Sequence, residues 1–227
     1  TAIFTNYAEG HLVYCPPVAD YEGRIWLGNL DNRTFNRRFS RSDGSDADYG
    51  LTTFSNTRFE VKAVAGDHGE LWLLGTNHQP KLARYVPGKG ETESFALPHP
   101  LLLPPALYYD TAQRQVWLAD GEQLTRFDVA TRQFKKFETG LPPAQQSWGL
   151  ALTRTADGSF WVALETGLLR ARPQGESFLF ELLKNNPADR NSLPGNSIKS
   201  LLTDPTDGQV LWVGTAGRGL CRYDLRN

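Results

Sequence analysis

The chain has 227 residues, of which 40% are hydrophobic and 22% charged, so a packed core is expected and a disordered chain is excluded. Its net charge is −1, from 24 basic and 25 acidic residues with no long basic block, which argues against a nucleic-acid surface and its concentrated positive field. The longest apolar run, residues 101–109, is broken by Pro104 and Pro105, so this segment is not expected to insert into a membrane.

The N-terminus, Thr1-Ala2-Ile3-Phe4-Thr5, lacks the basic and apolar segments of a signal peptide. The absence of Met leads to the expectation that the chain is a processed or excised part of a longer protein. Cys15 and Cys221 make no metal motif. They read as two small buried hydrophobes, with a disulfide between the chain ends as the alternative.

Taken in chain order, Ala2-Ile3-Phe4-Thr5-Asn6-Tyr7 opens as an isolated strand candidate. A four-part unit then repeats. In residues 11–54, His11-Leu12-Val13-Tyr14-Cys15 reads as an inner strand and Ile25-Trp26-Leu27 as the second. Arg38-Phe39 marks the third strand and Leu51-Thr52-Thr53-Phe54 the outer fourth. Asp43-Gly44-Ser45-Asp46-Ala47-Asp48-Tyr49-Gly50, between them, reads as a solvated loop; its carboxylates miss the EF-hand spacing, and calcium is the lesser alternative.

Residues 60–97 repeat the plan with Val61-Lys62-Ala63-Val64-Ala65, Leu71-Trp72-Leu73, Arg84-Tyr85 and Thr92-Glu93-Ser94-Phe95. Residues 106–140 do so with Ala106-Leu107-Tyr108-Tyr109, Val116-Trp117-Leu118, Arg126-Phe127 and Phe134-Lys135-Lys136-Phe137. Residues 148–184 carry Gly149-Leu150-Ala151-Leu152, Phe160-Trp161-Val162, Arg170-Ala171 and Phe178-Leu179-Phe180. Residues 198–225 carry Ile198-Lys199-Ser200-Leu201-Leu202, Leu211-Trp212-Val213 and Arg222-Tyr223, and stop after the third strand.

The tryptophans recur at spacings of 46, 45, 44 and 51 residues. A period near 45 built from strands is the mark of propeller blades. The expected fold is therefore all-β: a β-propeller of four-stranded antiparallel blades, with five blade repeats visible. If residues 2–8 complete the last blade, the ring closes within the chain and its edges disappear; the alternative is five consecutive blades of a larger ring. The aromatic that follows four of the five arginines is expected to pack between neighbouring blades, with the arginine pointing toward an edge or solvent.

The most telling stretch runs over residues 186–224. It holds Asn191-Ser192-Leu193, Asn196-Ser197-Ile198, the Asp207-Gly208 turn, Leu211-Trp212-Val213-Gly214-Thr215, Gly219-Leu220 and Arg222-Tyr223-Asp224. This stretch resembles the two-component regulator propeller repeat, found in the periplasmic sensor region of hybrid histidine kinases. The other blades match it through the Trp and the Arg-aromatic step. Arg218 stands where the repeat has Gly, and blade three lacks a turn Gly before Trp117. The resemblance implies a sensor-type module in a periplasmic or extracellular setting, with a kinase carried, if at all, by the parent protein.

Catalytic chemistry is scarce. His11, His68, His78 and His99 have no partner at metal-ligand spacing, no Gly-x-Ser-x-Gly elbow occurs, and Gly214-Thr215-Ala216-Gly217-Arg218-Gly219 lies between strands with no helix after it. No catalytic residue, metal or cofactor is expected. In a propeller, the loops joining strands two and three and the loops leading into each inner strand gather on one face, where binding residues concentrate. The ligand-binding candidates there are Asn29, Asn77, His78, Asp120, Glu165 and Arg218 from the first set, and Gln146, Trp148 and Arg190 from the second. Trp148 is the one tryptophan off the repeat; an aromatic platform beside amides and carboxylates suits stacking on a sugar face, the alternative being a plug between blades.

The expected function is a non-catalytic sensor or binding module for an oligosaccharide or other small ligand, with a homodimer or a partner propeller as further partners. A lyase is the second reading, because streptogramin lyases share Trp and Arg-x-Asp repeat features, as in Arg126-Phe127-Asp128, with His78 as the one candidate base. A structural or secretion-associated propeller is the third, and an exposed patch at Leu101-Leu102-Leu103-Pro104-Pro105 would favour it.

Overall fold

A computed structural model describes residues 13–19, 25–29, 34–39, 46–48, 61–75, 80–86, 90–99, 101 and 103–226. The chain divides into two compact units, Thr1–Pro100 and Leu101–Asn227.

The first unit holds two antiparallel sheets. One runs β1 (Val13–Ala19), β2 (Ile25–Asn29), β3 (Thr34–Phe39), β4 (Asp46–Asp48), and the other runs β5 (Val61–Ala65), β6 (Leu71–Gly75), β7 (Lys81–Val86), β8 (Gly90–Ala96). The second unit holds three. They are β9 (Ala106–Asp110) to β12 (Gln133–Glu138) by way of β10 (Gln115–Ala119) and β11 (Gln123–Asp128), then β13 (Ala151–Arg154), β14 (Phe160–Leu164), β15 (Gly167–Gln174) and β16 (Ser177–Leu183). The last sheet has, among the described residues, the strands β17 (Ile198–Thr203), β18 (Val210–Thr215) and β19 (Gly219–Asp224). Every sheet pairs consecutive strands, the meander of a propeller blade. Residues 2–8 lie outside the described residues.

The register repeats with the sequence. The tryptophan of each second strand stands opposite the arginine of the third: Trp26 and Arg38, Trp72 and Arg84, Trp117 and Arg126, Trp161 and Arg170, Trp212 and Arg222. The spacing of the two residues varies from 9 to 12 with the length of the connecting turn, yet the register is kept, since a slip of one residue would send either side chain to the other face.

β6, β10 and β14 are buried along their whole length. A central strand covered on both faces has no wet side, which explains why Leu71-Trp72-Leu73-Leu74 and Phe160-Trp161-Val162-Ala163 read as unbroken apolar runs. In the second unit one core layer joins the third and fourth sheets: Trp117 lies 4.3 Å from Phe160 between ring centres and edge-on to Phe178. A second layer joins the fourth and fifth, where Trp161 meets Tyr223 at 5.3 Å and Leu168 packs with Ile198, Leu211 and Val213.

Three expectations are corrected. Asp46–Asp48, inside the stretch read as a solvated acidic loop, is β4 and pairs with residues 37–39 of β3. The ladder offered by β3 outweighs the low strand propensity of Asp; the expected strand at 51–54 lies outside the described residues. The fourth inner strand starts at Ala151 instead of Gly149, because Gly149 and Leu150 belong to the incoming loop, with the Gly149 N–H on the Pro104 carbonyl at 2.9 Å. The repeat arginines do not simply reach for solvent. Arg170 lies over the Trp161 ring at 4.8 Å and pairs with Asp157, and Arg84 pairs with Glu70.

Candidate functional site

The loop face of the second unit is stitched by hydrogen bonds that run from sheet to sheet. The turn after β10 donates its Gly121 N–H to the Ser147 carbonyl at 2.9 Å, and the Ser147 hydroxyl accepts from the Glu165 N–H at 3.0 Å. Thr166, beside Glu165 in the turn after β14, donates to the Gln145 carbonyl at 2.6 Å. Glu165 in turn receives Ser197 and Lys199 from the start of β17, and these bonds, Lys199 foremost, hold its carboxyl below the ordinary range. The Ser197 carbonyl accepts the Ala216 N–H of the last turn at 2.9 Å. Three sheets thus share one continuous row of loops.

Trp148 projects from this row and is 54% exposed. The cause lies in its neighbours. Gly149 runs so close to β10 that a Cβ there would stand 1.9 Å from the Ala119 carbonyl, and the Ser147 carbonyl is taken by Gly121. With one flank pinned to Pro104, ahead of β9, and the other to the turn after β10, the indole faces out. It is not a plug between blades.

Gln146 is half-buried and donates to the Leu141 carbonyl at 2.9 Å, so it shapes the loop beneath Trp148. Asp120 is fully buried. Its Oδ1 accepts the N–H groups of Glu122 at 2.7 Å and Gln123 at 3.0 Å, and its Oδ2 has no partner among the described residues. Burial pushes its carboxyl up to about 6, against the pull of the two N–H groups. It caps a turn and presents no free carboxylate to a ligand.

Arg190 is exposed at the tip of the long loop before β17. That loop is built by its own polar residues: Ser192 accepts the Asn186 N–H at 2.9 Å, Asp189 caps the Asn191 N–H at 2.9 Å, and Asn196 accepts the Asn185 N–H at 2.7 Å. The Asn and Ser of the repeat motif therefore serve the loop's shape. Arg218 is exposed, with its stem against Gly195, where a Cβ would lie 3.0 Å from Arg218 Cγ. Asn29 closes β2, opposite Thr34. Asn77 and His78 lie outside the described residues.

The structure thus joins Gln146, Trp148, Glu165 and the Asp120 turn in one network and sets Arg190 and Arg218 on the loops that follow. Ser147, Thr166, Ser197 and Lys199, which carry the stitching, gave no signal in the sequence, because single hydroxyls and amines in loops have no distinguishing spacing. Leu101 and Leu103 are half-buried and Pro105 is buried, so these three form no exposed apolar patch; Leu102 lies outside the described residues. Cys221 is a half-buried free thiol. Among the described residues no group of three or more His, Cys, Asp or Glu side chains is placed to hold a metal, and no helix is long and apolar enough to cross a membrane.

No protein-family model and no curated protein matches the sequence. Solved structures do match in fold. The extracellular domain of a hybrid two-component system from B. thetaiotaomicron superposes with a TM-score of 0.67 at 18% identity, over 92% of this chain and 26% of that one. A catalytically inactive virginiamycin B lyase from Staphylococcus aureus, crystallised with quinupristin, matches with a TM-score of 0.66 at 14% identity, over 99% of this chain and 73% of that one. A gluconolactonase from Xanthomonas campestris matches at 0.61 and 14%, over 92% and 70%. The likeness shows a shared fold among a sensor domain, a lyase and a lactonase, and this chain spans about a quarter of the sensor domain's length.

Proposed function

We propose that this chain is a non-catalytic, extracytoplasmic ligand-binding propeller of a bacterial two-component signalling protein, with an oligosaccharide as its ligand. The observation that carries the reading is Trp148: an indole 54% exposed on a face whose loops are fixed to one another. Exposing a large aromatic forgoes the stability its burial would bring, and a rigid ring beside carboxylate and amide groups is what stacking on a sugar needs. Trp148 supplies the platform, Glu165 and Lys199 the polar edge, and Arg190 and Arg218 the outer charges. Loops that are already ordered lose little entropy when a ligand arrives.

The test is calorimetric titration with neutral and acidic oligosaccharides, alongside product analysis after long incubation. The sensor reading expects saturable binding with the sugar recovered intact. Cleaved product would favour the lyase reading, in which His78 is the remaining candidate base. Trp148→Ala should weaken binding at least about tenfold, the loss of one stacking contact, while the melting temperature stays within about 1–2 °C. Loss of folding in that variant would refute the assignment of Trp148 to the ligand.

A further inference from the structure

In the second, fourth and fifth sheets the tryptophan N–H and its facing arginine both meet acceptors, and the third sheet differs. In the second sheet, Trp72 Nε1 donates to Glu70 Oε1 at 3.1 Å and Arg84 Nε to Glu70 Oε2 at 2.5 Å, so one carboxylate serves both donors. Arg84 also meets Glu93, its cross-strand neighbour, at 3.4 Å. In the fourth sheet, Trp161 Nε1 donates to Thr155 at 2.9 Å, Thr155 donates to Asp157 at 2.6 Å, and Arg170 reaches the same Asp157 at 2.8 Å. In the fifth, Asp204 takes Trp212 Nε1 at 2.9 Å and Asp224 takes Arg222 at 3.1 Å.

In the third sheet, Trp117 and Arg126 stand opposite each other in the same register. Trp117 is 3% exposed, and its Nε1 and the Arg126 Nε are both buried without an acceptor among the described residues. The position two before the tryptophan, Glu70 in the second sheet, is Gln115 here. Gln115 has lost the charge, and its amide nitrogen is drawn to Asp128 at 3.5 Å. The cross-strand neighbour of Arg126 is Lys135, where the second and fourth sheets place Glu93 and Glu181. Lys135 lies over Phe137 at 5.1 Å, donates to the Glu176 carbonyl at 3.0 Å and meets the exposed Glu176 carboxylate at 3.6 Å. The nearby Asp110 is committed to Arg154.

We propose that Trp117 Nε1, the Arg126 guanidinium and Lys135 form a binding site for a small carboxylate, which takes the place that the Glu70 side chain fills in the second sheet. The Trp117 N–H and the Arg126 Nε stand opposite each other without an acceptor among the described residues, the one acid beside them, Asp128, being turned to Thr131 and Gln115; a planar carboxylate matches a guanidinium in two-point geometry. Half-buried Arg126 offers the approach from outside. Phe137, Phe160 and Phe178 pack against Trp117, so the ligand we infer is no larger than formate or acetate. This site does not rest on the loop-face reading.

The probe is sodium acetate against sodium chloride at equal ionic strength, read on the indole N–H resonances of ¹⁵N-labelled protein, with the Trp117 signal assigned from Trp117→Phe. Acetate should shift that signal saturably, with a midpoint of about 10 mM, and leave the signal of Trp161, whose N–H is already bonded, in place. Arg126→Gln should weaken the response about tenfold or more. Gln115→Glu should supply the carboxylate from within, raising the melting temperature and abolishing the acetate response. An unchanged Trp117 signal, an equal shift with chloride, an equal shift in Arg126→Gln, or a Gln115→Glu protein that still responds to acetate would each overturn the site.

Discussion

Trp161 shows how one side chain does several jobs. It is fully buried, donates its N–H to Thr155, carries Arg170 over its ring, and meets Tyr223 of the next sheet. Trp161→Ala removes a large ring from between two sheets that cannot collapse onto the gap, so it should cost about 3–5 kcal/mol in denaturant unfolding. A loss below about 1 kcal/mol would take this tryptophan out of the scaffold. Asp120 makes the opposite point, since its carboxyl is pushed up to about 6 from 3.8. At pH below about 4 both folded and unfolded chains hold this proton; as pH rises toward 6 the unfolded chain releases it first, so stability falls over that window and then levels. Asp120→Asn keeps the acceptor for Glu122 and Gln123 and removes the charge. It should be more stable than the parent at pH 7, by roughly 2–3 kcal/mol, and lose the decline between pH 4 and 6. Melting curves across that range decide it; equal pH profiles for the two proteins would place Asp120 in water.

At the scale of the element, the strand order and the Trp–Arg register follow from the sequence because both depend on local spacing. A short turn between two short strands leaves one way to pair them. What the sequence does not carry is what happens across sheets. β4 at Asp46–Asp48 exists because β3 offers an open ladder, and no residue in that stretch advertises a strand. Trp148 stands out as the indole off the period, but the serines and the lysine that fix its loop do not. Gly149 had a visible cause only in three dimensions, since its lack of a side chain lets the loop cross β10 at backbone distance. Gly149→Ala would press a methyl against the Ala119 carbonyl and the Ala106 nitrogen, backbone atoms that cannot swing away. It should cost about 1–3 kcal/mol and loosen the 139–150 loop, measured as faster amide exchange at Gly121, whose N–H ends on Ser147.

For the whole molecule, the outer edge of the last sheet is where its assembly can be tested. Among the described residues this sheet ends at β19, and Leu220 of that strand is 67% exposed, where β7, β11 and β15 each pair with a fourth strand. An edge ladder beside an exposed leucine, if left uncovered, invites association with another chain. The segment Phe4-Thr5-Asn6-Tyr7 has the same aromatic spacing as Phe134-Lys135-Lys136-Phe137, which forms the outer strand β12. If residues 2–8 supply a fourth strand beside β19, deleting them should lower the melting temperature by about 5–10 °C and raise the tendency to self-associate, because a ladder and its apolar cover are lost together. A deletion that leaves both melting and sedimentation unchanged would assign the completion of this blade to some other strand, and with it favour five blades of a larger ring over closure within the chain.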